Sequence, residues 1–190
     1  MKLILKLLAP YFAVIVFWNV FQNAWLSIIA YHAQILFWSH KDLKKEPLVL
    51  DRLSFLIVAP SIFSGLTVYF LLPYIAKTDI DIWLSLYKLD GVAFLIMIPY
   101  FGILHPFLEQ KYWRRLREDT KIAHIAFSGY HALVLSTFLK IEWVFICLGV
   151  LLSVSIFWKF VTSKQSSCSA CVFSHIFADL GMIVAAYLSI

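Results

Sequence analysis

Glu109, His131, His175 and Asp179 are ionisable residues set in stretches whose neighbours are mostly apolar. On insertion scales a charged side chain at membrane depth costs roughly 2.5–3.5 kcal/mol, so each one needs a reason to be there. His175 and Asp179, in Phe173-Ser-His-Ile-Phe-Ala-Asp-Leu-Gly181, are spaced i, i+4. On a helix that spacing puts both on one face, about a turn apart. A carboxylate so placed can accept the imidazole N–H and orient the ring, as it does for catalytic or metal-binding histidines. His131 ends Phe127-Ser-Gly-Tyr-His131, where Ser128 and Gly129 are small enough for close helix approach. Glu109 lies in Pro106-Phe-Leu-Glu-Gln-Lys-Tyr-Trp-Arg114, with Gln110 beside it and Arg114 close by.

Singly, each group has a plainer reading. Glu109 fits an interfacial carboxylate paired with Lys111, and His131 a neutral imidazole bonded to a carbonyl. His175 and Asp179 fit a self-satisfied pair that locks two helices. Together, a Glu and two His on three separate apolar runs supply a general base and two hydrogen-bonding or ligand groups. Asp179 adds an orienting group. Such a set can activate water for attack on a carbonyl inside a membrane. His124, on roughly the same face as His131, and His105 are decoy candidates.

The elements that must position these groups are long apolar runs, and a crossing takes about 20 such residues for ~30 Å of hydrocarbon. Six runs qualify: Leu8–Trp38, Leu53–Ala76, Gly91–Tyr112, Ile122–Leu139, Ile141–Val161 and Ala170–Ser189. The first is long and carries Asn19, Gln22, Asn23 and His32. It reads as one tilted helix, or as one span with an amphipathic stretch. Ile80–Tyr87 is too short to cross and reads as an interfacial piece anchored by Trp83 and Tyr87. The expected fold is all-α, a polytopic transmembrane bundle of about six spans, with residues 1–190 forming a single integral membrane domain. Composition agrees: 62% of residues are hydrophobic and 14% charged, against roughly half and a quarter in soluble domains. The lipid bilayer is the partner this composition demands.

The net charge of +5 does not point to nucleic acid, because the basic residues flank apolar runs. Ser39–Arg52 holds four of them and Lys111–Lys121 five, and Lys159 and Lys164 flank the hinge after the fifth run. With six crossings these 11 share one side, opposite Lys2, Lys6, Lys77, Lys88 and Lys140. The excess places the 11-residue side in the cytoplasm and both termini outside. No cleavable signal peptide is evident. Cys147 reads as a small apolar-facing residue. Cys168 and Cys171 form a lone C-x-x-C with no second pair, a weak metal signal that also fits a disulfide.

The order Glu109-x-x-x-x-Arg114, then Phe127-x-x-x-His131, then His175-x-x-x-Asp179 resembles the CAAX protease and bacteriocin-processing (CPBP) family of glutamic intramembrane proteases. That family includes the prenyl-protein endopeptidases. The resemblance covers about Gly91 to Ser189, the protease-like core. It implies an endopeptidase that cuts near the C-terminus of a membrane-associated peptide or protein with a hydrophobic C-terminal segment. In that scheme Glu109 deprotonates water and His131 positions it. His175 and Asp179 stabilise the oxyanion, which requires His175 to present an N–H to the cavity, and Gln110 and Arg114 support the site. The small size is similar to compact bacterial members, which implies a bacterial inner membrane.

The family usually has two adjacent glutamates, whereas here Gln110 follows Glu109. Gln110 cannot take up a proton but can hydrogen-bond, so altered substrate choice or lost activity stays open. No cofactor is implied. Glu, His, His and Asp are nonetheless acceptable zinc ligands, although nothing resembles the His-Glu-x-x-His pattern. Two other classes compete. One is a non-catalytic peptide-binding or immunity-type relative, which Gln110 supports. The other is a small transporter, weakened by the lack of repeat halves. The peptidase reading expects Glu109, His131 and His175 to converge on one water-filled cavity open toward the basic side.

Overall fold

Polar residues inside the first apolar run break it in two. Gln22 adopts a left-handed backbone (φ 47°), and Asn23 caps the next helix by accepting from the Leu26 N–H at 3.0 Å. The computed structural model describes residues 1–40, 52–165 and 167–190, apart from the side chains at 52 and 53. Among them the chain forms eight helices and no strand. These are α1 (Lys2–Val20), α2 (Ala24–Ser39), α3 (Arg52–Ile75), α4 (Ile80–Leu86), α5 (Gly91–Asp119), α6 (Ile122–Leu135), α7 (Ile141–Gln165) and α8 (Ser169–Tyr187). Helices α1, α3, α5, α7 and α8 are long and apolar enough to cross a bilayer. The chain is an all-α membrane protein.

The expectation of one crossing for Leu8–Trp38 gives way to a hairpin. Lys6 near the start of α1 lies over the ring of Trp38 near the end of α2, at 5.9 Å. The two helices therefore run antiparallel, and Lys2 and Lys6 join the basic end of the bundle. The Tyr112 hydroxyl donates to the Lys6 carbonyl at 2.6 Å, which fixes the depth of α5 against α1. At the other end, Ala76 and Leu139 form a backbone bridge, and the Ala24 N–H donates to the Tyr87 carbonyl at 3.1 Å. The charge asymmetry is thus sharper than the sequence count. Among the described residues, Lys2, Lys6, Arg52, Lys111, Arg114, Arg115, Arg117, Lys121, Lys159 and Lys164 lie toward one end, and only Lys77, Lys88 and Lys140 toward the other. Lys41, Lys44 and Lys45 of the first basic hinge lie outside the described residues. Contrary to the expectation for the termini, Lys2 and Tyr187 sit at opposite ends.

Two contacts set the frame around the future site. Parallel helices α3 and α8 meet at Gly65 and Gly181, where a Cβ on Gly181 would come within 2.9 Å of the Gly65 Cα. Only glycine at both positions allows this approach. Beside it, Ser61 and Ser174 share a hydroxyl hydrogen bond of 2.7 Å. The second contact is aromatic. Trp18 stacks on Tyr87 (4.4 Å), and the Trp18 and Trp83 indoles both donate to Thr137 Oγ1, at 3.3 and 3.1 Å. The Ile80–Tyr87 piece therefore seals one end of the bundle with α4.

Helix α6 has 14 residues, about 21 Å at 1.5 Å per residue, which is less than the Ile122–Leu139 crossing expected. In α5, Pro99 removes a backbone donor, and a wider π-helical stretch follows over Tyr100–Leu104. Such stretches recur near functional sites, and this one ends directly before His105.

Candidate active site

Glu109 is fully buried (0% exposed) on α5, and its two oxygens have different surroundings. Oε1 accepts from the Tyr31 hydroxyl of α2 at 2.6 Å and from the Tyr130 hydroxyl of α6. Tyr31 is itself held, because the Trp113 indole donates to its oxygen at 2.8 Å. Oε2 makes no hydrogen bond. It faces His105 Nε2 at 3.5 Å and His175 Nε2 at 3.6 Å. Asp179 Oδ2 is likewise buried without a hydrogen bond and lies 3.3 Å from His175 Nε2. An unpaired buried acceptor costs about 1–3 kcal/mol. Two of them on one pair of imidazoles mark the atoms not already committed to protein partners.

The structure gives each sequence candidate a place. His175 and Asp179 lie on one face of α8, as their spacing requires, and that face meets Glu109. His131 is linked to Glu109 through Tyr130. The His131 Nδ1–H donates to the Phe127 carbonyl at 2.7 Å, since a carbonyl can only accept. Neutral His131 therefore presents a bare Nε2, 3.1 Å from the Tyr130 hydroxyl. Tyr130 has one proton between two acceptors, Glu109 Oε1 and His131 Nε2. When Glu109 is ionised the proton points to the carboxylate; when Glu109 is protonated, Tyr130 is free to turn its proton to His131.

Gln110 is buried as well, with its amide nitrogen 3.1 Å from His175 Nδ1. The arginine beside it is Arg117, not Arg114. Arg117 (2% exposed) donates to Gln110 Oε1 at 2.8 Å and to Ser155 Oγ at 3.2 Å. It lies between the rings of Phe127 and Trp158. Arg114 instead pairs with Glu118 at 3.3 Å. Seen from Gln110, both arginines fall on one helix face, at i+4 and i+7, so spacing alone does not choose between them.

His105, a decoy by sequence, belongs to the cluster. Its Nδ1 is 3.0 Å from His32 Nε2, and His32 Nδ1 is 2.9 Å from the hydroxyl of half-buried Tyr100. The signal was available, because His105 and Glu109 repeat the i, i+4 spacing of His175 and Asp179. His124 stays apart, bonded to Ser155 at 2.9 Å. Cys168 and Cys171 are both buried and are not joined as a disulfide. Ligand-type atoms of His105, His175 and Asp179 lie within 4.8 Å of one another, close enough to be weighed as a metal centre. The expectation of an open cavity meets an enclosed site, with Glu109, Gln110, His175 and Asp179 all buried.

In chemical terms the arrangement offers one buried carboxylate with a free oxygen and imidazole N–H groups within reach of it. A neighbouring relay can follow its protonation. No protein-family model, curated protein or solved structure matches the chain.

Proposed function

We propose that the chain is an intramembrane endopeptidase that hydrolyses a peptide bond near the C-terminus of a membrane-associated substrate. The observation that carries this is the asymmetry of Glu109: Oε1 is held by two tyrosine hydroxyls, while buried Oε2 has no hydrogen bond and faces two imidazoles. Glu109 Oε2 accepts a proton from water as the water oxygen attacks the scissile carbonyl carbon. The carbonyl oxygen becomes an oxyanion and takes a hydrogen bond from the His175 N–H, which Asp179 orients. Collapse of the tetrahedral intermediate breaks the C–N bond, and the proton on Glu109 passes to the leaving amine. His131, working through Tyr130, holds the relay that follows that proton.

The ordered motifs on Glu109, His131 and His175 support the same reading by their resemblance to the CPBP family. Arg117, which donates to Gln110 Oε1, takes the supporting role that the resemblance gives to Arg114. The substrate is a peptide or protein with a hydrophobic C-terminal segment, presented from the bilayer. The excess of basic residues at one end supports a cytoplasmic position for that end, and the compact size supports a bacterial inner membrane. A second reading, a relative that binds a peptide without cutting it, draws on the enclosed site and on Gln110. The separating experiment incubates the purified protein with hydrophobic C-terminal tails in water enriched in heavy oxygen. The peptidase reading expects two products, with the heavy oxygen in the new carboxyl terminus. Intact tails bound to the protein would favour the binder.

A further inference from the structure

Gln110 and Arg117 reach His175 through a chain of hydrogen bonds on the side away from Asp179. Arg117 carries only donors, and it donates to Gln110 Oε1 at 2.8 Å. The Gln110 carbonyl therefore faces Arg117, and the group facing His175 Nδ1 at 3.1 Å is the amide NH2. An NH2 donates, so Nδ1 must accept. A neutral His175 then carries its proton on Nε2, the nitrogen that faces Asp179 Oδ2 at 3.3 Å and Glu109 Oε2 at 3.6 Å. Arg117 is held in turn by Ser155, which accepts from its Nη1 at 3.2 Å and lies 2.9 Å from His124 Nδ1.

We infer that Gln110 and Arg117 are positioning residues that hold His175 as its Nε2–H tautomer, making the buried cluster a hydrogen-bond-donating site. That the N–H serves an oxyanion rests on the peptidase reading; the tautomer itself does not. The inference gives a physical role to the residue that departs from the paired-glutamate pattern. An ionised carboxylate at position 110 would only accept. It would draw the His175 proton to Nδ1 and leave Nε2 bare.

The same lock bears on metals. A histidine ligates through a nitrogen without a proton. His175 in the locked tautomer is a poor ligand through Nε2, although His105, His175 and Asp179 are gathered within 4.8 Å. A tetrahedral zinc with ~2.0–2.1 Å bonds places its ligand atoms about 3.3 Å apart, so a modest closing of the three would complete the geometry once Nε2 is bare. Gln110→Glu should therefore convert a donor site into a metal-binding one. It also gives Arg117 an ionic partner, which favours retention of the fold.

The test is nitrogen NMR of protein with isotope-labelled histidine, read without substrate, with the His175 signals assigned by their loss in His175→Ala. The wild type should show a bare Nδ1 and a protonated Nε2. Gln110→Glu should show a protonated Nδ1. In a parallel titration Co2+ should give the visible bands of tetrahedral coordination with Gln110→Glu and none with the wild type. A wild-type His175 with bare Nε2, with both nitrogens protonated, or with the same signals in Gln110→Glu overturns the inference. So does stoichiometric Co2+ uptake by the wild type that His175→Ala abolishes. Because no cleavage enters these readouts, failure of the lock is distinguishable from failure of the peptidase reading.

Discussion

Helices α5 and α8 each bring to the site a histidine four residues before an acid: His105 and Glu109 on one, His175 and Asp179 on the other. The spacing is the same and the burial similar, but the supports differ. On α5 the acid is the supported member, because Tyr31 and Tyr130 hold one oxygen of Glu109. On α8 the histidine is the supported member, because Gln110 fixes Nδ1 of His175, while Asp179 Oδ2 has no hydrogen bond. Identical local patterns thus receive opposite supports from what packs around them. A carboxylate with one oxygen held and one free is fitted to take a proton. An imidazole fixed from behind is fitted to donate one.

That contrast predicts unequal effects from equal substitutions. His175→Ala should lower turnover by roughly 10²–10³-fold, the usual cost of removing an oxyanion donor. His105→Ala should cost only about tenfold, the ~1.4 kcal/mol of a single neutral hydrogen bond such as the one it shares with His32. Single-turnover cleavage of one tail by both variants checks this, and equal losses would break the comparison.

Asp179 gives a finer test. Its buried Oδ2 lies 3.3 Å from His175 Nε2, and a neutral amide keeps an oxygen acceptor at that position. Asp179→Asn should therefore keep activity within about tenfold of wild type, while Asp179→Ala should lose clearly more. Equal losses from both variants in the same assay would show that the charge, not the hydrogen bond, is what α8 supplies.

The smallest effect is expected on stability. Tyr31→Phe removes one donor from Glu109 Oε1 and leaves the Trp113 indole without its acceptor. The cost should be about 1–3 kcal/mol, read as a lowered unfolding midpoint in detergent, with cleavage kept because Tyr130 still holds Oε1.

Much of this was legible in the sequence, for identifiable reasons. Apolar runs long enough to cross a bilayer report directly on helices, and His175 and Asp179 were readable because both sit inside one uninterrupted helix. The hairpin of α1 and α2 was only half visible. Gln22 and Asn23 stood out as polar residues, but a left-handed residue and a cap declare themselves only when the chain turns. His105 carries the same i, i+4 signal as His175, and what ties it into the cluster is His32, a tertiary partner 73 residues earlier. Arg117 and Arg114 share a helix face, and the choice between them was made by Ser155, 38 residues further along the chain. Tyr31 reaches Glu109 across 78 residues, and no local spacing encodes such a contact.

The central claim is that Glu109 is the base. Its most direct test compares wild type with Glu109→Gln on one hydrophobic-tailed substrate in lipid vesicles, under single turnover, with unfolding midpoint and substrate binding measured on the same preparations. Glutamine keeps the shape and can still accept from Tyr31 and Tyr130, but it cannot take a proton from water. Cleavage should fall by roughly 10²–10⁴-fold, with the fold and substrate binding retained. Cleavage at the wild-type rate by a folded Glu109→Gln variant would contradict the account and move the base to another residue.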